Sequence, residues 1–528
     1  MSSFARRMLR CLAAPAAVAT LPLCASAQVP IDRATGQLVE VNSDVENYLR
    51  VLQLRGIVAP HPWSVREFGL READNLAPSD TSHPWAARVR RADPSSRRFR
   101  ILAPEIRTIE NTTFPYGFND GPIWAGRGLT AAATGGFTAM IGRLSIVAEP
   151  MVFVAQNQGF TLANNGQTGP LRFGNELVPI FIDQPQRFGD GSYKRIDPGQ
   201  SSVRLDLPYV ALGASTADQH WGPAVEHPLI LGNNAAGFPH AYLGTNGAVD
   251  LWLFKLDART EAGRLDQTAF SPAGDTAAHR LMTGVVASIV PRGLPNVEFG
   301  ASRFFHSPWL SSGIGPGTIV HALRGTESAS DNQLASLFAR AVFPASGVEV
   351  YGEFGRDDRN ADRRDLTLEP DHVSGYMLGM QKVWASGSRS FTVLRGELLN
   401  TRVTHLALAR PQAPFYVNVA LPQGHTELGQ VLGSAAGFGG LGTNLSVDRY
   451  DPTGKWTFAW DRINRASSDG NLSDPRGADV YQSLGAQRTM FRPRADIIAG
   501  LTLTRELNRN FVKDATNLQL QVGTRVHW

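Results

Sequence analysis

Cysteine is nearly missing from this chain of 528 residues, and the two present, Cys11 and Cys24, both fall near the amino terminus. Arg6, Arg7 and Arg10 precede a short apolar run from Cys11 to Leu23, and Ala25-Ser26-Ala27 follows. These are the basic, apolar and small-residue regions of a secretory signal, so residues 1–27 are expected to be removed and the mature chain to begin at Gln28. A mature chain of that kind has no thiol, no disulfide and no thiolate metal ligand. Lipid attachment at Cys24 is the competing reading, but Leu23 stands where such signals want a small residue.

Long hydrophobic runs are missing too. No stretch approaches the ~20 apolar residues of a membrane helix, and the mean hydropathy is −0.17. Charge of one sign is not in excess: losing the leader's three arginines takes the formal charge from +4 to +1. Nucleic acid is therefore excluded as a partner, since it calls for a strong basic surplus. Lysine is scarce, five against 46 arginines, so most cationic groups are planar forks suited to carboxylates. There is no His-Glu-x-x-His, no Gly-x-Ser-x-Gly, no P-loop and no dinucleotide fingerprint. His220 with Asp218, His306 with Ser307, and His240 near Asn233 can each be drawn as catalytic pairs, yet 12 histidines produce such neighbours by chance. The residues Asp357, Asp358, Asp362 and Asp365 are interleaved with Arg356, Arg359, Arg363 and Arg364. That mixture reads as a solvated loop before it reads as a calcium site. No enzyme activity, cofactor or metal is expected.

What is present is alternation. From Asn517 to the end, Leu518, Leu520, Val522, Thr524, Val526 and Trp528 alternate with Gln519, Gln521, Gly523, Arg525 and His527. A period of two sends one set to each face of a strand. An apolar face, a polar face and a terminal aromatic resemble the closing strand of a bacterial outer-membrane barrel, greasy towards lipid and wet towards the lumen. The pattern recurs. Val348, Val350, Gly352 and Phe354 alternate with Glu349, Tyr351 and Glu353; Leu394, Gly396 and Leu398 with Arg395 and Glu397; Trp456, Phe458 and Trp460 with Thr457, Ala459 and Asp461. Less regular segments near 129–141, 143–155, 202–213, 249–258, 283–290, 297–305, 336–343, 375–383 and 479–489 bring the total to roughly sixteen to eighteen antiparallel strands. The fold class is thus an all-β transmembrane barrel over residues 96–528. Long Gly-rich connections, 157–200, 219–247, 307–331, 356–372 and 411–450, are expected as outer loops or lumen plugs.

Residues 28–95 read differently. Ser43-Asp44-Val45-Glu46 is a capping-box sequence ahead of Tyr48, Leu49 and Leu52, with Gly56 as a stop. Ser64-Val65-Arg66-Glu67 repeats the signal before Phe68, Leu70 and Ala73, and a third short helix is expected from Trp85 to Arg91. So small a helical subdomain is too thin to hold a core alone. It is expected in the periplasm, packed over the barrel mouth.

Three clusters combine rings, amides and charge on loops shaped by Gly and Pro. The first, Phe114 to Gly128, carries Asn119, Asp120, Trp124 and Arg127. The second, Gln219 to Pro239, carries Gln219, Trp221, Asn233 and Asn234. The third, His425 to Gly433, carries His425 and Gln430. Arg187 stands in a fourth stretch, Arg187-Phe188-Gly189-Asp190. Flat rings for sugar C–H faces, with amide and guanidinium forks for hydroxyl and uronate groups, are what saccharide recognition needs. For any single residue the plainer reading comes first: Gly and Pro fix turns while Trp and Asn anchor a loop within the lumen, where polar groups must satisfy one another before a ligand.

At these residues the chain resembles the Wzi-type capsule assembly proteins. Gln219-His220-Trp221-Gly222-Pro223 with Pro228-Leu229-Ile230-Leu231-Gly232-Asn233-Asn234-Ala235 is similar to their signature. Asn119 to Gly128, Gly429-Gln430-Val431-Leu432-Gly433, Arg187 to Asp190 with Asp197 to Gln200, Leu52 to Gly56 and Pro62-Trp63-Ser64 are similar to further stretches. Loop lengths and Phe438, in place of a Gly-Pro turn, depart from the better-known members. The resemblance implies a monomeric outer-membrane barrel of about eighteen strands with a periplasmic helical bundle. It also implies a lectin-like, non-catalytic role in holding surface or capsular polysaccharide. Its other partners would be outer-membrane lipid and the barrel assembly machinery. A porin-like channel is the alternative, and an outer-membrane hydrolase a more distant one.

Overall fold

Side-chain alternation decides which face of each strand meets lipid. A Lys or Arg on the lipid side at mid-membrane costs about 2–4 kcal/mol and little near the interfaces, so across the middle of the membrane the charged set of a strand turns inward. The computed structural model describes residues 38–89, 99–274, 278–310, 313–324, 330–357, 363–387, 389–404, 413–465 and 478–527. The expected leader, Arg91, Asp358, Arg359, Asp362 and Trp528 lie outside the described residues, as does the side chain of Asp365.

The chain forms a closed antiparallel barrel of 18 strands. Each strand pairs with its neighbours in sequence, and Phe99–Asn111 closes the ring against Lys513–Val526, with Ile109 opposite Gln521. Three strands are interrupted: Leu144–Ala148 continues as Met151–Ala155, Tyr193–Asp197 as Ser202–Asp206, and His240–Thr245 as Val249–Leu251. Pro104, with no N–H to give the ladder, sits where the register slips between Leu102 and Glu105. In the last strand Leu520, Val522 and Val526 are exposed while Asn517 and Gln519 are buried. In Val348–Asp357, Glu349, Tyr351 and Glu353 are buried and Val350 is exposed. Leu337, Leu378, Leu398, Leu445, Leu484 and Leu503 extend the outward apolar belt. Among the described residues no helix is long and apolar enough to cross a membrane; crossing falls to the strands.

The expected loops 157–200, 219–247 and 411–450 each give up residues to the sheet: Tyr193–Asp197, His240–Thr245 and Leu441–Asp451. In Leu441–Asp451 the outward set includes Thr443 and Arg449 and the inward set Gly442 and Ser446, which blurs the contrast that marks a strand. The single strand expected near 249–258 is instead a hairpin turning at Trp252-Leu253.

One end of the barrel carries tight turns, such as Ile141–Leu144, Leu251–Phe254 and Asp451–Gly454, and both ends of the sheet's chain. The other end carries the long connections. Residues 38–89 fill the short-turn end. Helix Asp44–Leu54 is capped by Ser43, whose Oγ accepts from Glu46 N at 3.2 Å, and stops ahead of Gly56 at φ 66°. The second helix begins later than its sequence suggests, at Leu70–Leu76, because Val65–Arg66 pairs as a short strand with His220–Trp221. Trp85 to Val89 forms turns, not a helix.

This unit is held by charge as well as by its aromatic core of Tyr48, Trp63, Phe68 and Trp85. Arg50 donates to Glu349 at 2.5 Å; Arg340 reaches the same carboxylate at 2.8 Å; and Glu298 accepts from Trp63 N and Ser64 N at 2.9 and 3.1 Å. Removing one partner of such a buried pair typically costs about 3–5 kcal/mol, so the unit is bolted to the wall.

Candidate functional site

The long connections fold inward. Residues 216–239 run down the lumen until Gly222 N donates to Ser64 O at 2.9 Å. There Arg66 donates to Gly222 O and Ala224 O, at 3.2 and 2.7 Å, and Arg50 to Pro223 O at 2.6 Å. Midway, the N–H groups of Val225, Glu226 and His227 converge on the Glu397 carboxylate at 2.7, 2.9 and 2.9 Å. One wall carboxylate thus satisfies three donors that would otherwise be buried without partners, each at about 1–3 kcal/mol.

Residues 112–127 and 413–440 pack above this loop. Asn233 Nδ2 donates to Asn119 O at 2.7 Å, and Gly121 N returns a bond to Asn233 O at 2.8 Å. Asn234 Nδ2 donates to Val431 O at 2.8 Å, Gly232 N to Leu432 O at 2.9 Å, and Gln430 Nε2 to Asn234 O at 3.1 Å. The three sequence clusters therefore meet.

Where they meet, at the long-loop end, lies a cleft of about 180 Å³. Tyr116, Phe118, Trp124, Phe160, Phe438 and Tyr481 supply rings; Gln184, Gln186, Asn234, Gln430 and Asn510 supply amides; Glu176, Arg465 and Arg509 supply charge. Tyr116 and Phe118 meet edge-on at 5.0 Å. Arg509 lies over Phe114 at 4.6 Å and Phe160 at 5.5 Å, and pairs with Glu506. Arg465 pairs with Glu176 and donates to the Tyr481 hydroxyl at 2.9 Å. Trp124 is braced from behind by Phe188 at 4.9 Å. The result is a set of fixed ring faces edged by amides and guanidinium forks, the parts that recognise polyhydroxylated ligands.

Of the residues singled out in the sequence, Trp124, Asn234 and Gln430 line this cleft. Asn119, Asp120 and Asn233 stand behind it: Asp120 pairs with Arg107 at 2.5 Å, and Asn119 Nδ2 donates to Glu226 O at 3.1 Å. Arg127 and Arg187 hold the adjoining loop, Arg127 by Thr112 O at 3.2 Å and Arg187 by Asn157 O at 2.7 Å. Gln219, Trp221 and His425 are buried in the plug. Gln219 donates to Glu261 at 3.0 Å and accepts from Trp221 Nε1 at 3.3 Å. His425 donates from Nε2 to Ile230 O at 2.6 Å and is stacked on Tyr416. Tyr481, Arg465 and Arg509 went unmarked in sequence. Arg465 and Tyr481 lie on strands at the two edges of one long connection and Arg509 ends a strand at a tight turn beside it; only the strand register brings the three together.

Burial dominates the titrating groups of the plug. It lowers His425 to about 3, lowers His220 well below the ordinary range, and raises Asp218 to about 7 and Glu427 to about 8. One histidine meets a serine: His227 Nδ1 lies 3.1 Å from Ser434 Oγ, both buried, while the nearby Asp461 accepts from Asn444 at 2.7 Å. The hydroxyl is fully buried. Among the described residues the carboxylate that lines the cleft is Glu176, paired with Arg465. Among the described residues no group of His, Cys, Asp and Glu is arranged to hold a metal. Asp357, from the acidic run, accepts from Tyr416 N at 2.5 Å.

No family model and no curated protein matches the sequence. Among solved structures the chain is similar to Wzi of Escherichia coli, described as an outer-membrane protein involved in group 1 capsule assembly and a carbohydrate-binding β-barrel. The TM-score is 0.62 at 16% identity, over 92% of this chain and 98% of that one. OccK2 (OpdF) of Pseudomonas aeruginosa, solved with glucuronate, follows at TM-score 0.43 and 10% identity, over 81% of this chain and 97% of that one. OpdQ of the same organism gives 0.40 and 9%, over 81% and 98%. At these identities the likeness to Wzi is one of fold, and the other two are far more distant barrels.

Proposed function

We propose that this chain is an outer-membrane protein that holds surface polysaccharide, capsular in the simplest case, at the cell exterior without altering it. The observation that supports the reading best is the outer cleft, with its rings, amides and paired arginines on a rigid, hydrogen-bonded base. The likeness of fold to a carbohydrate-binding barrel supports it from outside the chain. Many weak contacts along a repeating polymer add by avidity, so a modest cleft suffices. A leader at 1–27 would direct export, residues 28–95 would close the periplasmic mouth, and 96–528 would form the barrel. Lipid and the barrel assembly machinery would be its membrane partners, and the protein would act as a monomer. The channel alternative is less favoured, because the plug and the helical unit both pack inside the barrel.

The test is binding of the detergent-purified protein to a panel of bacterial polysaccharides, with Trp124→Ala alongside. One polymer class should bind, and the variant should bind about two- to tenfold more weakly, an aromatic contact being worth about 0.5–1.5 kcal/mol. Heat-modifiable migration should be unchanged. No binding across the panel, or equal binding by the variant, overturns the assignment of this cleft.

A further inference from the structure

Loop 216–239 belongs to two structures at once. Its lower limb is part of the helical unit: His220–Trp221 extends Val65–Arg66 as a second strand, and Arg66 grips two of its carbonyls. Its upper limb is part of the cleft: Asn234 lines it, and both of that limb's asparagines tie to the loops that carry Trp124 and Gln430. Asn42, just ahead of the first helix, also reaches Asn233 directly, Nδ2 to Oδ1 at 3.4 Å. From the helical unit to the cleft is therefore a path of a few hydrogen bonds through buried, close-packed residues.

Packed interiors of this kind have discrete arrangements and deform little. Lifting the helical unit out of the short-turn mouth would strip the partners of Gly222 N, Gly222 O, Pro223 O and Ala224 O. The lower limb would have to move, and Asn233 and Asn234 with it.

We propose that loop 216–239 is a strut coupling the outer cleft to the helical unit at the opposite end, so that ligand in the cleft is felt at the inner face and unseating the unit weakens the cleft. Coupling of this kind is reciprocal: whatever factor links the two sites acts in both directions. The inference concerns how the cleft is held and does not depend on what it binds.

Hydrogen exchange on the full chain in detergent micelles, without glycan, tests it. Arg66→Ala cuts the lower attachment. Exchange in 118–125 and 429–438 should then accelerate by about tenfold, within the usual range of coupling between sites, while amides of Lys513–Val526 stay protected. Gln430→Ala, made at the cleft, should accelerate exchange in helix Asp44–Leu54. Acceleration confined to the mutated end, in either variant, overturns the proposal. So does equal acceleration of the barrel strands, which would mean general loosening. If Arg66→Ala gives no heat-modifiable barrel, Asn42→Ala replaces it, with the same segments read and a smaller change of the same pattern expected. Since no glycan is present, failure here leaves polysaccharide binding standing, and failure of the binding panel leaves the strut standing.

Discussion

His425 shows how a single buried side chain can commit the plug to one protonation state. Its Nε2 donates to Ile230 O, so Nδ1 must accept, and it faces His306 Nε2 at 2.8 Å, which must then donate. His306 Nδ1 in turn faces Arg280 Nη1 at 3.3 Å. The bonds run one way, from Arg280 to Ile230 O, with Phe304 and Tyr416 packed around the ring. A second proton on His425 would put N–H against N–H. Burial, despite the bond to Ile230 O, therefore leaves its pKa at about 3 against an ordinary 6.5. The sign follows: below 6.5 the unfolded segment takes up a proton that the folded one refuses, so this contribution is present above 6.5 and is lost as pH falls towards 3. Glu427, raised from 4.5 to about 8, acts oppositely, since its burial is easier once it is protonated. A variant isolates the histidine. His425→Gln can donate and accept in the same places and carries no proton to gain. Between pH 6.5 and 4.5 the wild type should lose amide protection in 413–440 relative to this variant, after correction for intrinsic exchange. Equal slopes would show that the ring is not what acid strikes.

Elements were legible where one face is plainly apolar and the other plainly charged. Val348–Asp357 and Ser390–Asn400 announce themselves, because putting Glu349 or Glu397 into lipid is out of the question. Leu441–Asp451 hides, since Thr443 and Arg449 sit in its outward set and small residues on its inward face. Val65–Arg66 carries a helix signal and yet forms a strand, because the tertiary partner His220–Trp221 outweighs a local preference worth under about 1 kcal/mol per residue. The cleft was half legible. Clusters on one loop could be seen, whereas Arg465, Tyr481 and Arg509 become neighbours only through register. Glu397 is the clearest case of an element tied down by one side chain: it also accepts from Tyr351 Oη at 2.6 Å, besides the three loop amides. Glu397→Leu would leave those amides buried and unpaired, at about 1–3 kcal/mol each. The loop should detach from the wall while the strand stays in the sheet. Limited proteolysis should then cut within 216–239, where the wild type resists, with heat-modifiable migration retained. A variant as resistant as wild type would mean that the three bonds are dispensable.

A ring of 18 strands is wide enough for an aqueous channel, so whether this molecule conducts is decided by its contents and not by its girth. Those contents come from both ends. The helical unit enters at the short turns, 216–239 descends to meet it, and 112–127 and 413–440 close over the top. Buried Leu229, Ile230, Leu231, Phe304, Phe338 and Tyr416 form one continuous apolar core within the lumen. A water-filled pore lined by such residues would pay for their exposure at about 25 cal/mol per Å², which holds the plug in place. In planar bilayers the intact protein should therefore show no steady open-channel current. Replacing 217–238 by a short Gly-Ser bridge removes the central column and frees the helical unit from it, while Ser215 and His240 remain paired across adjacent strands. The sheet's own hydrogen bonds are untouched, so the barrel should still insert. It should then conduct ions, and Val65–Arg66, without its partner strand, should become accessible to protease from the short-turn side. Steady conductance by the intact protein would contradict a filled lumen and revive the channel reading. Silence from the shortened variant, once insertion is verified, would mean that the helical unit seals the mouth unaided.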